Sequence, residues 1–141
     1  MVDLRQIKLD FFAFRNGIIA DALRKAGDPH TVILGCQLVD IVAIAQNIGD
    51  DDSNQELARA LWADEKSRES RLLAPMVYPS RLMPMKEATE WLLGVISQEE
   101  ADVLCHRLLQ HLPDARRLTR LSARTPLQQY AIKRLNGFLT N

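Results

Sequence analysis

The arginines near the C-terminus are the side chains whose type and spacing most directly suggest chemistry in this sequence. Arg116, Arg120 and Arg124 recur every four residues, and Arg117 lies beside the first of them. An α-helix would place residues at this spacing along one face. A planar guanidinium binds phosphate well, so such a row suits the backbone of DNA or RNA. The same side chains would also suit a solvated helix face or a protein-binding surface, and the sequence leaves these alternatives open.

The charge of the chain is unevenly distributed, although its formal net charge is zero. From Val103 to Asn141 seven basic residues stand against one acidic residue, Asp114, which gives this segment a net charge of +6. The remainder of the chain therefore carries −6. Such asymmetry favours an anionic partner. Because no side chains suited to reading base edges accompany the arginines, we expect contact with DNA to be independent of nucleotide sequence.

The other residues with chemical potential form no recognisable site. Cys105, His106 and His111 are close in sequence, but the i, i+5 spacing of the histidines splays their rings around a helix and a fourth ligand is lacking. The sequence contains no glycine-rich phosphate loop, nucleophile elbow or Cys-x-x-Cys pair. We therefore expect neither a metal site nor a cofactor.

Apolar residues recur at helical spacing along the whole chain, and short breaks separate the helical segments. Leu57, Leu61 and Trp62 form one narrow apolar stripe, and Leu72 and Leu73 belong to the next. Short paired helices bury such stripes by stacking against their neighbours in an α-solenoid. The pattern predicts an all-α protein with about eight or nine short helices.

Several polar and aromatic residues are expected to support these helices. Trp62 and Trp91 fall on apolar stripes, which favours core packing over stacking on bases. Ser53 with Glu56, and Ser97 with Glu100, have the spacing of capping boxes. The segment 68–71, Arg-Glu-Ser-Arg, is interpreted as a solvated helix face with local ion pairs.

Length and composition fit one soluble domain, residues 1–141. No apolar run approaches the roughly 20 residues that a membrane-spanning helix needs. The first residues also lack the apolar core of a signal peptide. Cys36 and Cys105 lie on apolar stripes, which favours buried free thiols over a disulfide and predicts a cytoplasmic protein.

Five short segments between residues 35 and 113 carry a family resemblance. They are Gly35 to Val39, Ile44 to Gln46, Glu56 to Trp62, Glu69 to Ala74, and Glu90 to Leu92. They resemble the helical repeats of the bacterial DNA-alkylation-repair glycosylases, a family of HEAT-like proteins. The resemblance implies a HEAT-like α-α superhelix with N-terminal helices in residues 1–34, a family-like core in 35–113 and basic helices in 114–141.

The resemblance also implies a catalytic position. In the family, a Ser or Thr is followed by Trp, Asp, two variable residues and the catalytic Asp, and residues 97–102 here read Ser-Gln-Glu-Glu-Ala-Asp. Asp102 thus matches the catalytic carboxylate and Glu99 the other acid, whereas Gln98 replaces the tryptophan. Family enzymes remove purines alkylated at N3 or N7, and an ionised carboxylate stabilises the positive charge that develops on the sugar.

These observations predict a DNA-binding protein related to alkylpurine DNA glycosylases. Arg116, Arg117, Arg120 and Arg124 would contact the DNA backbone, and Asp102 would support weak or no base excision. The family's later repeats supply an arginine and an aromatic residue to the DNA groove, and neither can be assigned here.

Three alternatives remain from the residues themselves. Asp102 also suits a surface acid near a helix N-terminus, where the helix dipole favours negative charge. The whole chain also suits a non-enzymatic protein–protein interaction scaffold. A homodimer would follow if the last helix exposed its apolar residues, which are Leu127, Tyr130, Leu135, Phe138 and Leu139.

Overall fold

A computed structural model describes residues 3–140 of the chain, so Met1, Val2 and Asn141 lie outside the described part. The α-helices are α1 Leu4–Ala13, α2 Gly17–Lys25, α3 Leu38–Ile48, α4 Asn54–Ala63, α5 Arg68–Val77, α6 Met85–Leu93, α7 Gln98–Arg107 and α8 Pro126–Leu139. Short 3₁₀ helices are Ser80–Leu82, Leu109–His111 and Ala115–Arg120.

The predicted all-α class and number of helices are confirmed. Across residues 3–140 the structure contains no β-strand, and Val32 and Ser67 form an isolated parallel bridge. Among the same residues, no helix combines the length and apolar character required to cross a membrane.

The chain divides into two compact units, Met1–Tyr78 and Pro79–Asn141. The boundary falls inside the segment 35–113, which is predicted from the family resemblance to form one core. The organisation of 1–141 as a single domain stays a prediction.

Hydroxyl side chains cap several helices, and the predicted cap at Ser97 is confirmed. Ser67 Oγ accepts a hydrogen bond from the N–H of Ser70 at 3.2 Å, and Ser97 Oγ accepts one from Glu100 at 3.1 Å. At Ser53 the predicted capping bond is absent, because its backbone is already helical, with φ −64° and ψ −15°. An N-cap side chain reaches back to the helix N–H groups from an extended backbone.

Helix α5 is the buried centre of the first unit, where it packs against α3 and α4. Arg68, Glu69, Ser70 and Arg71 are all almost completely buried, so the prediction of a solvated helix face for this segment is wrong. A pattern of charged residues usually marks an exposed face, but here each charged group has partners inside the unit. The structure therefore uses these residues as a polar core.

Glu69 organises one side of this polar core. Its carboxylate accepts hydrogen bonds from the N–H groups of Leu34 at 3.0 Å and Gly35 at 3.2 Å, and from Arg68 Nη1 at 2.7 Å. Arg68 Nη1 also donates to the carbonyl oxygen of Cys36 at 3.0 Å. These bonds attach the segment before α3 to the start of α5.

Arg71 and Ser70 organise the other side. Arg71 Nη1 donates to the carbonyl oxygen of Trp62 at 2.9 Å, and its guanidinium carbon lies 3.6 Å from the centroid of the Trp62 ring. Ser70 Oγ donates to Asp64 Oδ2 at 3.0 Å, and Lys8 Nζ approaches the same oxygen at 2.9 Å. Trp62 is buried, which confirms its predicted place in the core.

Gly35 is required where the chain enters this polar core. Its φ of +83° lies in the left-handed region, and a Cβ would meet the backbone oxygen of Asn16 at 2.1 Å. A residue with a side chain would therefore be strained both by its backbone and by the close approach of α2.

The second unit is built around the packing of α7 against α8, with α6 also packed against α8. Leu104, Leu108 and Leu135 are fully buried, and Trp91 of α6 is buried as predicted. Gln128 Nε2 donates to the carbonyl oxygen of Leu93 at 3.0 Å, which fixes the start of α8 beside the end of α6.

The apolar residues of α8 are partly covered within the second unit, and a homodimer through this face stays a prediction. Leu135 is fully buried, and the other apolar residues considered for this face are half-buried, namely Leu127, Tyr130, Phe138 and Leu139. They are partly covered because α6, α7 and the 3₁₀ helices Leu109–His111 and Ala115–Arg120 pack against α8.

Candidate active site and nucleic-acid interface

Asp102 lies on α7, one turn after the cap that Ser97 provides. Its helical neighbours Ala101, Val103 and Cys105 are buried, whereas the side chain of Asp102 is 39% exposed. The carboxylate therefore stands at the edge of the apolar face, where solvent or a ligand can reach it.

Two residues of α8 hold this carboxylate. The hydroxyl of Tyr130 donates to Asp102 Oδ1 at 2.7 Å, and Nε of Arg134 donates to the same oxygen at 2.9 Å. Tyr130 and Arg134 are four residues apart, so they project from one face of α8. Within the described residues no hydrogen bond to Oδ2 of Asp102 is formed, which leaves this oxygen available to a ligand.

The protonation state of the Tyr130 hydroxyl follows from its contact with Asp102. The hydrogen bond to Asp102 raises the pKa of Tyr130, and burial adds to the effect. A phenolate would lose the hydrogen bond and stand against a carboxylate, so the neutral hydroxyl is favoured. Tyr130 therefore remains a donor that fixes one oxygen of Asp102 over the neutral pH range.

The site continues along α8 beyond Arg134. The guanidinium carbon of Arg134 lies 4.8 Å from the centroid of the Phe138 ring. The His106 ring of α7 approaches Phe138 with a centroid distance of 5.3 Å and an interplanar angle of 38°. The junction of α7 and α8 thus carries a connected surface, which is formed by Asp102, Arg134, Phe138 and His106.

Tyr130 and Arg134 were not predicted from the sequence as partners of Asp102. Their i, i+4 spacing was visible, but nothing in the sequence shows that α8 packs against α7 in this register. Of the other residues aligned with the family's active centre, Gln98 is exposed and Glu99 is half-buried. Glu100 is buried, and its carboxylate accepts a hydrogen bond from the N–H of Ile96 at 3.1 Å.

The basic segment forms a 3₁₀ helix, Ala115–Arg120, and not the α-helix that would align Arg116, Arg120 and Arg124. Residues three apart share a face in a 3₁₀ helix. Ala115 and Leu118 are accordingly both buried. The expectation of an i, i+4 arginine row is therefore wrong.

Each predicted arginine has its own position. Arg117 and Arg120 share the exposed row of the 3₁₀ helix, about 6 Å apart along its axis. Arg116 Nη2 donates to the carbonyl oxygen of Leu139 at 2.8 Å. Arg124 lies beyond this helix, in the exposed segment before α8. Whether these side chains contact DNA stays a prediction.

The two cysteines are buried free thiols, as predicted. Burial raises the pKa of both Cys36 and Cys105 to about 12, and neighbouring carboxylates add to the shift. Neither thiol is therefore a nucleophile near neutral pH. Among the described residues, no three His, Cys, Asp or Glu side chains converge as they would around a metal ion.

Comparison with known protein families gives a match over most of the chain. Residues 7–126 match the family described as DNA alkylation repair enzyme, a range that includes both Asp102 and the 3₁₀ helix with Arg117 and Arg120. No curated protein and no solved structure matches the chain. Because the match extends over most of the 141 residues, the chain belongs to the DNA alkylation repair enzyme family and has a role related to DNA repair.

Proposed function

We propose that this protein binds DNA that contains alkylated purines and removes the damaged base slowly, with Asp102 as the catalytic carboxylate. The observation that carries the proposal is the position of Asp102, whose Oδ1 is held by Tyr130 and Arg134. The half-exposed carboxylate is thereby oriented before a substrate arrives.

The chemistry needs little from the protein beyond this oriented charge. An alkylated purine is cationic, so the N-glycosidic bond breaks with its electron pair moving to the base nitrogen, and a neutral base leaves. The sugar acquires oxocarbenium character, which the Asp102 carboxylate stabilises. A water molecule then bonds to the sugar carbon and loses a proton to the surrounding solvent.

The same geometry accounts for a slow reaction. The Arg134 guanidinium at 2.9 Å neutralises part of the negative charge of Asp102. A carboxylate that is already paired stabilises a developing cation less than an unpaired one does. The site also has Gln98 where the family resemblance places a tryptophan.

The exposed arginines of the second unit supply the proposed DNA contact. Arg117 and Arg120 lie in one row of the 3₁₀ helix, and Arg124 follows in the exposed segment. Guanidinium groups bind phosphates without reading the bases, so the affinity would be independent of nucleotide sequence. Arg116 contributes less, because its guanidinium already donates to the Leu139 carbonyl.

A HEAT-like superhelix and a cytoplasmic location are part of the same proposal. The short connection between α4 and α5 pairs these helices as neighbours, which suits a HEAT-like superhelix. The buried free thiols of Cys36 and Cys105 suit the reducing cytoplasm.

The binding experiment measures affinity for a short duplex that contains a stable abasic-site mimic, beside its undamaged twin, across a salt series. The double variant Arg117→Ala, Arg120→Ala should reduce the slope of log K against log salt by about 1.8, since each lost phosphate contact removes about 0.9. Lys86→Ala, which removes an exposed cation of α6, is the matched control. A slope unchanged in the double variant would exclude the arginine assignment.

The excision experiment measures release of 7-methylguanine from methylated DNA under single-turnover conditions. Asp102→Asn should abolish release while binding of the duplex persists. Glu90→Gln, an exposed carboxylate of α6, should release the base at the parent rate. Equal release by the Asp102→Asn and parent proteins would show that Asp102 is not catalytic.

A further inference from the structure

The exposed apolar residues of this protein are concentrated in the first unit. Eight large apolar residues are more than one third exposed in the described part of the chain, and seven of them lie between residues 9 and 39. Two of these, Leu9 and Phe12, lie together on α1 and are 58% and 52% exposed. An apolar pair of this kind on one helix face favours a binding surface.

Helical geometry defines the surface. Leu4, Lys8 and Phe12 follow one another at i, i+4 spacing, and Arg5 and Leu9 form the adjacent row. These five residues line a shallow, open depression of about 650 Å³ on the surface of α1. We call this surface the α1 face. It extends for two helical turns, about 12 Å, which is the reach of i, i+3, i+4 and i+7 anchors on a partner helix.

The α1 face is basic as well as apolar. Arg5 is exposed and forms no ion pair with a described residue, and Lys8 pairs with Asp64 at the rim. Arg15 continues the face, since its guanidinium carbon lies 3.8 Å from the centroid of the Phe12 ring. The carboxylates of α1 are directed elsewhere. Asp3 accepts from the N–H of Gln6 at the helix N-terminus, and Asp10 accepts from Gln6 Nε2.

We infer that the α1 face binds an acidic amphipathic helix of a partner protein. Leu9 and Phe12 would receive its apolar side chains, and Arg5 and Arg15 would face carboxylates at its edges. Nucleic acid fits this surface less well, because Leu9 and Phe12 offer no hydrogen bond to a phosphate or a base edge. This function is separate from base excision, since it uses residues of the first unit alone.

The test uses a fluorescein-labelled model peptide with leucines at i, i+3, i+4 and i+7 and glutamates at the flanking positions. A second peptide has the same composition in shuffled order, and a third has lysine in place of glutamate. Fluorescence anisotropy with the full chain should show saturable binding of the first peptide and at least tenfold weaker binding of the other two.

Variants locate the binding on α1. Phe12→Ser and Arg5→Glu should each weaken binding about tenfold, and Ile18→Ser is the matched control because Ile18 is 84% exposed on α2. All three residues are exposed, so the thermal unfolding of each variant should match that of the parent.

Several results would overturn the inference. Equal affinity for the ordered and shuffled peptides would show that the contact is non-specific. Binding to anionic phosphatidylserine vesicles without binding to the peptide would assign the face to a membrane surface. Self-association that Phe12→Ser abolishes, measured by analytical ultracentrifugation, would assign it to a second copy of this chain.

Discussion

Replacing Glu69 by alanine is expected to lower the free energy of unfolding by about 3–5 kcal/mol. The Glu69 side chain is fully buried and accepts hydrogen bonds from Leu34, Gly35 and Arg68. Its removal leaves the Arg68 guanidinium buried without its carboxylate, which is the largest part of the cost. Two backbone N–H groups also lose their acceptor.

The measurement is equilibrium unfolding in urea at pH 7, followed by far-UV circular dichroism. With a urea slope of about 2 kcal/mol per molar, the loss should lower the midpoint by about 2 M. Glu56→Ala is the matched control, because the Glu56 side chain is 80% exposed on α4. Its cost should stay within about 0.5 kcal/mol.

A second variant separates the buried charge from the loss of packing. Adding Arg68→Met to Glu69→Ala removes the unpaired guanidinium, so the double variant should be more stable than Glu69→Ala alone. Equal midpoints for Glu69→Ala and Glu56→Ala would refute the assignment of Glu69 to a polar core. A double variant less stable than the single one would refute the proposed origin of the cost.

Three further outcomes are expected. Gly35→Ala should destabilise the protein by at least about 2 kcal/mol in the same urea assay, because φ is +83° and a backbone oxygen lies 2.1 Å from the added Cβ. Ultraviolet titration near 295 nm should show a Tyr130 pKa above its ordinary value of 10.0 that falls in Asp102→Asn, and an unchanged titration would contradict the hydrogen bond. The pKa values of Cys36 and Cys105 are raised from 9.0 to about 12 in the folded protein, so their neutral thiols contribute to its stability. This contribution is fully present below pH 9.0 and should be lost as the pH rises towards about 12. A thiol reagent at pH 8 should accordingly react with both cysteines only as the protein unfolds, and rapid reaction with the native protein would contradict their burial.

Local sequence patterns predicted the helices well, because a helix start depends on a few adjacent residues. The hydroxyl of Ser97 caps α7, as its spacing from Glu100 predicts. The apolar stripes placed Trp62 and Trp91 in the core, since burial of one helix face requires only helical spacing. Ser53 was the exception, because residue type alone does not determine the backbone conformation at a cap.

The candidate site shows what local patterns leave out. Asp102 was found through the family resemblance, whereas Tyr130 and Arg134 were not, although they are 28 and 32 residues away and bond directly to its carboxylate. The arginine segment was given the wrong helix type. The spacing of Arg116, Arg120 and Arg124 suits an α-helix, but the structure has a 3₁₀ helix there.

The sequence by itself determined the all-α class, the approximate number of helices and the aspartate that matches the family's catalytic residue, because these depend on residue type and short-range spacing. The tertiary structure decided which charges are buried and which are exposed. The segment 68–71 has the charge pattern of a surface helix, yet it is buried because Leu34, Gly35, Cys36 and Trp62 supply its hydrogen-bond partners. Burial of a charge depends on groups brought close only by folding, and for that physical reason no local pattern encodes it.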